Sequence, residues 1–399
     1  MNMNKIAFNI LTVPVLAVLA VSCGGQDEIY KEWVKKGGYD YPAKAINLSS
    51  VIGYQNVIVN WEKPMDPAVR TATLFWDNYA KSIDVDYADY PDGKVSIEVG
   101  ELEDRSYTFD IVNYDDVGNK SLAAEITVSP YGDGWMVSRS ERTVTSARME
   151  GRDAKIVMSK ATDEMVATRF RYKNLQDEWV ESETVLKPGE NEVTFKDAMK
   201  GKRFEYSSSF CPKAGKDTVW RTWTKSVDGI SYQIDGSRWN VTATNGQYFG
   251  INTPEKIFDG RYDRPAYSWH SSKSDNNKQA FPKILSVDTQ TSAGEEFAFT
   301  GFTFCENNTA ASLRYIKDYT IYVGSSYYNP DDADYLKNFG IPFIGGTLST
   351  SADQYSVNVT QGATGRYIAI VFKNSWNADD GFIDLWELIP YGYIPSLAD

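Results

Sequence analysis

From Ala45 onward, alternation of side-chain character with a period of two limits the fold more than any other feature of this 399-residue chain. Val57, Val59 and Trp61 occupy every second position of one such run, and the same alternation returns at Tyr107. Successive side chains of a strand point to opposite faces, so this pattern is typical of strands with one buried face. Clusters of Pro, Gly, Asn and Asp interrupt the runs at short intervals. We therefore predict an all-β protein built from β-sandwiches.

The alternating region contains two stretches of similar length. R-T-V-T-S-A-R-M-E-G-R-D-A-K-I-V-M in the second echoes K-A-I-N-L-S-S-V-I-G-Y-Q-N-V-I-V-N in the first, with a period of roughly a hundred residues that is too long for a solenoid. V-N-W-E-K-P-M-D-P and L-E-D-R-S-Y-T-F-D-I-V resemble strands B and E to F of a fibronectin type III domain. This resemblance implies that Tyr107 is the corner tyrosine, whose hydroxyl bonds to the backbone. We predict fibronectin type III/Ig-like sandwiches at residues 45–130 and 131–228.

The last third of the chain carries other motifs, in the order I-F-D-G, S-W-H-S, F-P-K-I-L-S-V-D, Y-I-K-D-Y-T-I-Y-V-G, G-R-Y-I-A-I-V and L-W-E-L-I-P-Y-G. Together they resemble the coagulation factor 5/8 type C (discoidin-like, galactose-binding-like) domain, whose fold family-32 carbohydrate-binding modules also use. The resemblance covers about Trp239 to Tyr393. It implies that residues 229–399 form a jelly-roll β-sandwich that binds a ligand.

Discoidin-like modules bind through loops at one end of the sandwich, where rigid strands position variable side chains. An aromatic ring face and planar hydrogen-bonding groups are suited to hold a sugar. The glycan-binding residues that this resemblance implies are Trp376, His270, Asn307, Asn308, Arg314, Tyr327 and Asn377. Further loop residues with suitable side chains are Trp239, Tyr248, Asn276, Asn277 and Tyr328.

Trp376 ranks first, because its polar loop N-S-W-N-A-D-D-G offers no evident core for an indole; the alternative is a packing Trp that caps the sandwich.

His270 follows a motif Trp, and galactose-binding relatives contact the sugar with a His near this position. The alternative for His270 is a neutral ring that a backbone carbonyl satisfies. The galactose-type pattern has an Arg just before an Asn, and Cys305 takes that Arg position ahead of Asn307. Loss of this bidentate donor argues against galactose itself.

The discoidin resemblance also implies a structural Ca²⁺, held by hard oxygen ligands where the turn after the first strand meets the last strand. The matching residues are Asp259, Asp263, Ser268 and Glu387. Tyr267 replaces the usual Thr, which is why the adjacent Ser268 enters the set. The alternative is a turn held by hydrogen bonds alone.

The N-terminal region, residues 1–22, has a charge at Lys5, an apolar run interrupted by Pro14, and small residues before Cys23. The run is short for a membrane span, which favours a cleaved signal peptide. Its end resembles a bacterial lipoprotein signal, with Cys23 as the lipidated residue and residues 23–44 as a tether. The following G-G-Q-D-E resembles the export signal of Bacteroidetes surface lipoproteins, and the alternative is an ordinary solvated linker. We predict lipid anchoring in the outer membrane with the chain exposed at the cell surface.

Charge and motif content exclude several functions. The net charge of −13 and the lack of a basic cluster argue against nucleic acid as a partner. The single histidine and the absence of C-x-x-C argue against zinc. Neighbouring acids such as Asp331 and Asp332 point to opposite faces of an extended chain, and no G-x-S-x-G motif occurs. We therefore expect no enzyme activity.

These observations lead to a functional hypothesis. The protein is expected to be a non-catalytic cell-surface lipoprotein that captures a glycan or glycoprotein for neighbouring uptake and degradation lipoproteins. The alternative is a protein-interaction, adhesion or scaffold lipoprotein that uses the same loops. A third class, a glycosidase without recognisable motifs, requires two carboxylates facing each other across a cleft.

Overall fold

The computed structural model describes residues 41–244, 250–261, 268–271, 281–292, 294–306, 315–349, 354–376 and 383–399. Cys23, the predicted lipidation site, lies outside these residues. The chain forms two compact units, residues 1–131 and 132–399. The all-β prediction is confirmed. None of the helices in the described ranges has the length and apolar character needed to span a membrane.

The first unit contains one antiparallel sandwich of seven strands. They are β1 (Ile46–Ile52), β2 (Val57–Glu62), β3 (Val69–Trp76), β4 (Lys81–Asp86), β5 (Lys94–Val99), β6 (Tyr107–Asp115) and β7 (Ala124–Val128), with a 3-10 helix at Tyr87–Asp89. The sheets have the orders β1-β2-β5 and β4-β3-β6-β7. Alternate residues Val57, Val59 and Trp61 are buried between them. The hydroxyl of Tyr107 accepts the backbone N–H of Glu103 at 3.0 Å, so the predicted corner tyrosine is confirmed.

The second unit begins with a sandwich of the same plan. Its elements are helix α1 (Asp133–Val137) and strands β8 (Val144–Glu150), β9 (Asp153–Met158), β10 (Met165–Lys173), β11 (Trp179–Glu181), β12 (Glu192–Phe195), β13 (Glu205–Phe210), β14 (Val219–Trp220) and β15 (Thr224–Lys225). The sheets are β12-β9-β8 and β11-β10-β13-β14, with β15 also paired to β13. Tyr172 stacks on Phe195 in the core, with ring centroids 4.4 Å apart. The matching sheet orders support the duplication seen in the sequence.

Two arginines of strand β10 are interleaved with three Trp rings from other parts of this sandwich. Arg169 lies between Trp220 and Trp223, with its guanidinium carbon 4.5 and 4.6 Å from the ring centroids. Arg171 follows between Trp223 and Trp179, at 4.7 and 5.5 Å. We call these five residues the Trp-Arg ladder. Because each cation lies against two rings, the ladder fixes long side chains that are otherwise mobile on a sheet surface.

The second unit ends with the C-terminal sandwich. Its strands are β16 (Tyr232–Gln233), β17 (Asn240–Ala243), β18 (Trp269–His270), β19 (Lys283–Asp288), β20 (Phe297–Glu306), β21 (Asp318–Gly324), β22 (Ile344–Thr347), β23 (Gln354–Gly365), β24 (Tyr367–Phe372) and β25 (Asp384–Tyr393). Helix α2 (Tyr335–Phe339) and 3-10 helices at Pro254–Phe258 and Pro395–Leu397 connect or follow them. The sheets are β16-β25-β20-β23, with β18 on β25, and β17-β19-β24-β21-β22. Apolar side chains from both sheets fill a single core. This is the predicted jelly-roll sandwich.

Residues 228–236 connect two packed sandwiches. The Asp228 carboxylate accepts the backbone N–H of Gly362 at 3.1 Å and the Tyr393 hydroxyl at 2.9 Å. The last residue of the chain, Asp399, lies 3.0 Å from Arg203 and 2.6 Å from Lys225 of the second sandwich. These contacts make the two sandwiches one compact unit.

Candidate functional site

Several chain segments meet at one end of the C-terminal sandwich. His270 of β18 pairs with Asp384 at the start of β25, and Glu306 ends β20 beside the same strand. The other sheet reaches this end through a bridge between Ile316 and Ser375. We call this region, from which the chain segments 272–280, 307–314 and 377–382 depart, the loop end. The topology therefore brings the backbones of His270 and Trp376 to the same end of the fold.

Trp376 is partly exposed and firmly oriented. Its indole Nε1 donates to the backbone carbonyl of Leu348 at 3.0 Å, and its backbone N–H donates to Tyr315 at 2.9 Å. The Lys317 ammonium lies 4.7 Å from the ring centroid. Even so, 40% of the residue remains exposed. The Trp thus combines features of both interpretations, since it packs on the sandwich and also presents ring surface to solvent.

His270 lies beside a carboxylate, not in open solvent. Its Nδ1 is 3.8 Å from Oδ1 of Asp384, a distance compatible with an ion pair but too long for a direct hydrogen bond. The two side chains are 19% and 11% exposed. His270 can therefore reach a ligand only through the small part of its ring that remains accessible.

Glu306 is a buried carboxyl at the loop end that the motifs did not indicate. It is 2% exposed, and its Oε1 accepts the backbone N–H of Ile316 at 2.7 Å. Its Oε2 is buried and has no partner among the described residues. Burial raises the pKa of Glu306 to about 8, although the Ile316 hydrogen bond lowers it. This hydrogen bond therefore joins the residues that flank the 307–314 segment, which contains three of the predicted site residues.

The structure separates other predicted residues from Trp376. Tyr327 packs edge-on against Tyr367, with centroids 5.8 Å apart. Tyr367 pairs with Gly324, at the end of the β21-β24 ladder opposite the loop end. Tyr327 consequently belongs to a different surface from Trp376.

Two of the further loop residues proposed from the sequence are packing residues, and seven predicted loop residues lie outside the described part of the chain. Trp239 is buried against Phe258 in the core, with centroids 4.8 Å apart, and Tyr328 packs on Phe339 at 5.1 Å. Neither is a free loop aromatic. Residues outside the described part of the chain are Asn307, Asn308, Arg314, Asn377, Tyr248, Asn276 and Asn277.

Cys305 lies in strand β20, although the discoidin resemblance aligns it with an Arg of the galactose-type pattern. It pairs with Glu387 across β20 and β25 and is buried. Burial and, to a lesser extent, the Glu387 charge raise the pKa of the thiol to about 12. Cys305 is therefore an inert packing thiol and contributes no hydrogen-bond donor to the loop end.

Asp259 and Glu387 form the part of the predicted calcium site that the structure describes. Oε1 of Glu387 accepts the Gly260 backbone N–H at 3.2 Å, while Oε2 is buried without a described partner. Burial raises the pKa of Asp259, and burial together with the Asp259 charge raises that of Glu387 to about 8. A cavity of about 50 Å³ adjoins both side chains. Two desolvated carboxylates with an unpaired oxygen fit a divalent cation.

The rest of the predicted calcium set gives less support. Ser268 Oγ accepts the side-chain amide of Asn252 at 3.0 Å, and Asp263 lies outside the described residues. Within the part of the chain that the structure describes, no group of three His, Cys, Asp or Glu side chains is arranged to hold a metal. Backbone carbonyls and water would have to complete the coordination of any ion at Asp259 and Glu387.

Comparisons with known proteins give the following similarities. A family model described as a domain of unknown function matches residues 23–217, and a search of curated proteins found no match. The chain is similar to the family 32 carbohydrate-binding module of C. perfringens NanJ in complex with galactose, with 20% identity over 41% of this chain and 99% of that chain (TM-score 0.32). It is similar to a fucolectin from striped bass (Morone saxatilis) serum, with 12% identity over 74% and 86% (TM-score 0.32). It is also similar to a SusE-like protein, with 11% identity over 87% and 97% (TM-score 0.26).

The chemistry available at the loop end is that of reversible binding. The described residues supply an oriented indole at Trp376, an ammonium at Lys317 and the His270-Asp384 pair. Such groups provide one apolar ring surface together with donors and acceptors, the combination found in small-molecule binding sites.

Proposed function

We propose that the protein is a non-catalytic surface lipoprotein that captures glycans at the loop end of its C-terminal sandwich. The observation that carries this proposal is Trp376, a 40% exposed residue whose indole N–H donates to the Leu348 carbonyl. A ring that is already oriented loses little conformational entropy when a sugar stacks on it. The position of Trp376 at the loop end distinguishes it from Trp179, which is similarly exposed but packs against Arg171 and Lys173 on the second sandwich.

The neighbouring segments complete the proposed site. Asn307, Asn308 and Arg314 belong to a segment whose two ends Glu306 and Ile316 hold together, and Asn377 directly follows Trp376. Planar amides and a guanidinium are well matched to sugar hydroxyls. In this proposal they supply hydrogen bonds to the sugar that stacks on the indole.

Calcium is a proposed structural partner at a different position. Asp259 and Glu387 would hold the ion, and the ion would neutralise two carboxylates that otherwise repel each other. It would also fix the turn after Phe258 against the last long strand. Its role is to stabilise the fold, and sugar chemistry is assigned to the loop end alone.

The N-terminal sequence supports the proposed location. Lipidation of Cys23 and the G-G-Q-D-E segment that follows would tether the chain to the outer face of an outer membrane. Many copies on one surface raise the effective affinity of weak single sites, which suits capture for neighbouring uptake lipoproteins.

The test is a glycan array probed with the purified full chain and two matched variants. Trp376→Ala removes the proposed stacking surface, and Trp179→Ala removes a Trp of similar exposure, 45%, in the second sandwich. We expect Trp376→Ala to weaken retention of the bound glycan by at least about tenfold, as is usual for a central aromatic contact. Trp179→Ala is expected to bind like the wild type.

Two outcomes would contradict the proposal. Equal losses in the two variants would show that the effect is not specific to the loop end. If no glycan is retained but Trp376→Ala abolishes capture of one specific protein from the native membrane, the loops serve a protein partner, as in the scaffold alternative.

A further inference from the structure

A second cavity lies between the two sandwiches of the second compact unit. It has a volume of about 240 Å³ and is lined by strand β8, the segment around Asp228, Thr300 of β20 and part of β23. Thr300 adjoins the pairing of Gly301 with Asn358, whereas the loop end begins at Glu306 on the same strand. We call it the junction cavity. It is therefore separate from the proposed glycan site.

One wall of the junction cavity carries the cation of Arg148. The Arg148 guanidinium lies over the Tyr391 ring, 3.6 Å from its centroid, and one of its Nη atoms donates to the side-chain oxygen of Asn358. Its Nε is buried and has no hydrogen-bond partner among the described residues. Burial lowers the pKa of the guanidinium, since water no longer solvates its charge fully.

Among the described residues Arg148 forms no ion pair, although the Glu150 charge is near enough to oppose the lowering of its pKa by burial. The sequence has 54 acidic and 41 basic side chains. In the described residues Arg139, Arg171, Arg203 and Arg366 each form an ion pair, whereas Arg148 forms none. A partly buried guanidinium that forms no ion pair can gain a charge-assisted hydrogen bond from an added anion.

The remaining lining combines polar and apolar side chains with one carboxylate, that of Asp228. Ser146, Thr300 and Gln361 contribute hydroxyl and amide groups to the cavity. Asp228 also lines it, but its two oxygens already accept the Gly362 N–H and the Tyr393 hydroxyl. The cavity thus offers one cation beside groups that pair with hydroxyls.

We propose that the junction cavity binds a small hydroxylated carboxylate the size of one sugar acid. Its carboxylate pairs with Arg148, and its hydroxyls pair with the side chains of the surrounding strands. The volume lies just under the range of roughly 300–1,000 Å³ typical of larger ligands, so a single ring fits. This goes beyond the proposed function, because it assigns a second ligand class to a second site.

The experiment is calorimetric titration of the full chain with galacturonate and glucuronate. Galactose and glucose serve as uncharged counterparts, and acetate supplies the carboxylate alone. We expect the uronates to bind at least about tenfold more tightly than the neutral sugars, because charge-assisted hydrogen bonds are roughly twice as strong as neutral ones. They should also bind at least about tenfold more tightly than acetate, because acetate has no hydroxyls to pair with the surrounding side chains. Trp376→Ala is expected to leave uronate binding unchanged, which separates this site from the loop end.

Two variants test the cavity itself. Arg148→Gln removes the cation, and Ser146→Phe fills the space while it retains Arg148. Each is expected to weaken uronate binding by at least about tenfold. If Arg148→Gln does not fold, Ser146→Phe decides alone. The proposal is overturned by wild-type affinity in either folded variant, by equal binding of uronates and neutral sugars, by acetate binding as tightly as the uronates, or by no uronate binding at all.

Discussion

Replacing Glu306 with glutamine should change how the stability of the C-terminal sandwich depends on pH. The pKa of Glu306 is raised from 4.5 to about 8 by burial, so folding favours its protonated form. A group shifted in this direction contributes its full stability below about pH 4.5, and that contribution is lost as the pH rises to about 8. The shift destabilises the fold by about 1 kcal/mol at pH 5, about 3 at pH 7 and about 5 at pH 9, relative to low pH.

The glutamine of the Glu306→Gln variant does not titrate, so the variant should gain stability relative to the wild type as the pH rises. The amide oxygen can still accept the Ile316 N–H, and any cost of burying the unpaired amide group is the same at every pH. From pH 5 to pH 9 we expect the difference in unfolding free energy to move by about 4 kcal/mol in favour of the variant. Glu387, which titrates in the same range, is present in both proteins and cancels in the difference.

Urea denaturation at pH 5, 7 and 9 can measure this effect. Pulse hydrogen exchange of peptides from β20 and β21 reports unfolding of the C-terminal sandwich separately from the other sandwiches, which unfold with their own midpoints. Glu255→Gln, an exposed change in the same sandwich, is the control and should show no trend. A constant difference between wild type and Glu306→Gln across the three pH values would refute the reasoning.

Three further changes test other parts of the structure. Tyr107→Phe removes the hydroxyl that accepts the Glu103 N–H and should destabilise the first sandwich by about 1 kcal/mol in urea denaturation; an unchanged midpoint would argue against the corner. Trp223→Ala breaks the Trp-Arg ladder at its centre and should destabilise the second sandwich by about 1–2 kcal/mol, more than Trp179→Ala at its end. Ca²⁺ should raise the thermal midpoint of the wild type but not of Glu387→Gln, with a stabilisation of about 2.7 kcal/mol at a hundred times Kd; identical responses would exclude Glu387 as a ligand.

Local periodicity was sufficient to predict the strands. Val57, Val59 and Trp61 lie at every second position of β2, and all three are buried, because a strand in a two-layer sandwich has one face in the core. The rule does not decide the end of β20, because every residue from Gly301 to Glu306 is buried and the register with β25 shifts between Cys305 and Glu306. The burial of Glu306 therefore could not be predicted from alternation.

Contacts between distant residues could not be predicted in this way. Arg148 reaches Tyr391 and Asn358 only because the two sandwiches pack together, and nothing within a strand's length of Arg148 signals that packing. Trp239 and Tyr327 fit a polar-loop pattern equally well in the sequence. One is buried and the other lies at the opposite end of the sheet, since burial and position depend on the complete topology.

Strand β20 connects the two surfaces for which ligands are proposed, and its irregularities explain how one strand serves both. Its pairing with β25 shifts register between Phe299 and Gly301 and again between Cys305 and Glu306. A bulge re-aims the side chains around it, so Thr300 adjoins the junction cavity while Glu306 turns into the core beneath the loop end. At Gly301 an added Cβ would lie 2.3 Å from the Val357 carbonyl oxygen, which only glycine tolerates. The close approach of β23 at this point therefore depends on that glycine, and with it the position of Asn358 beside Arg148.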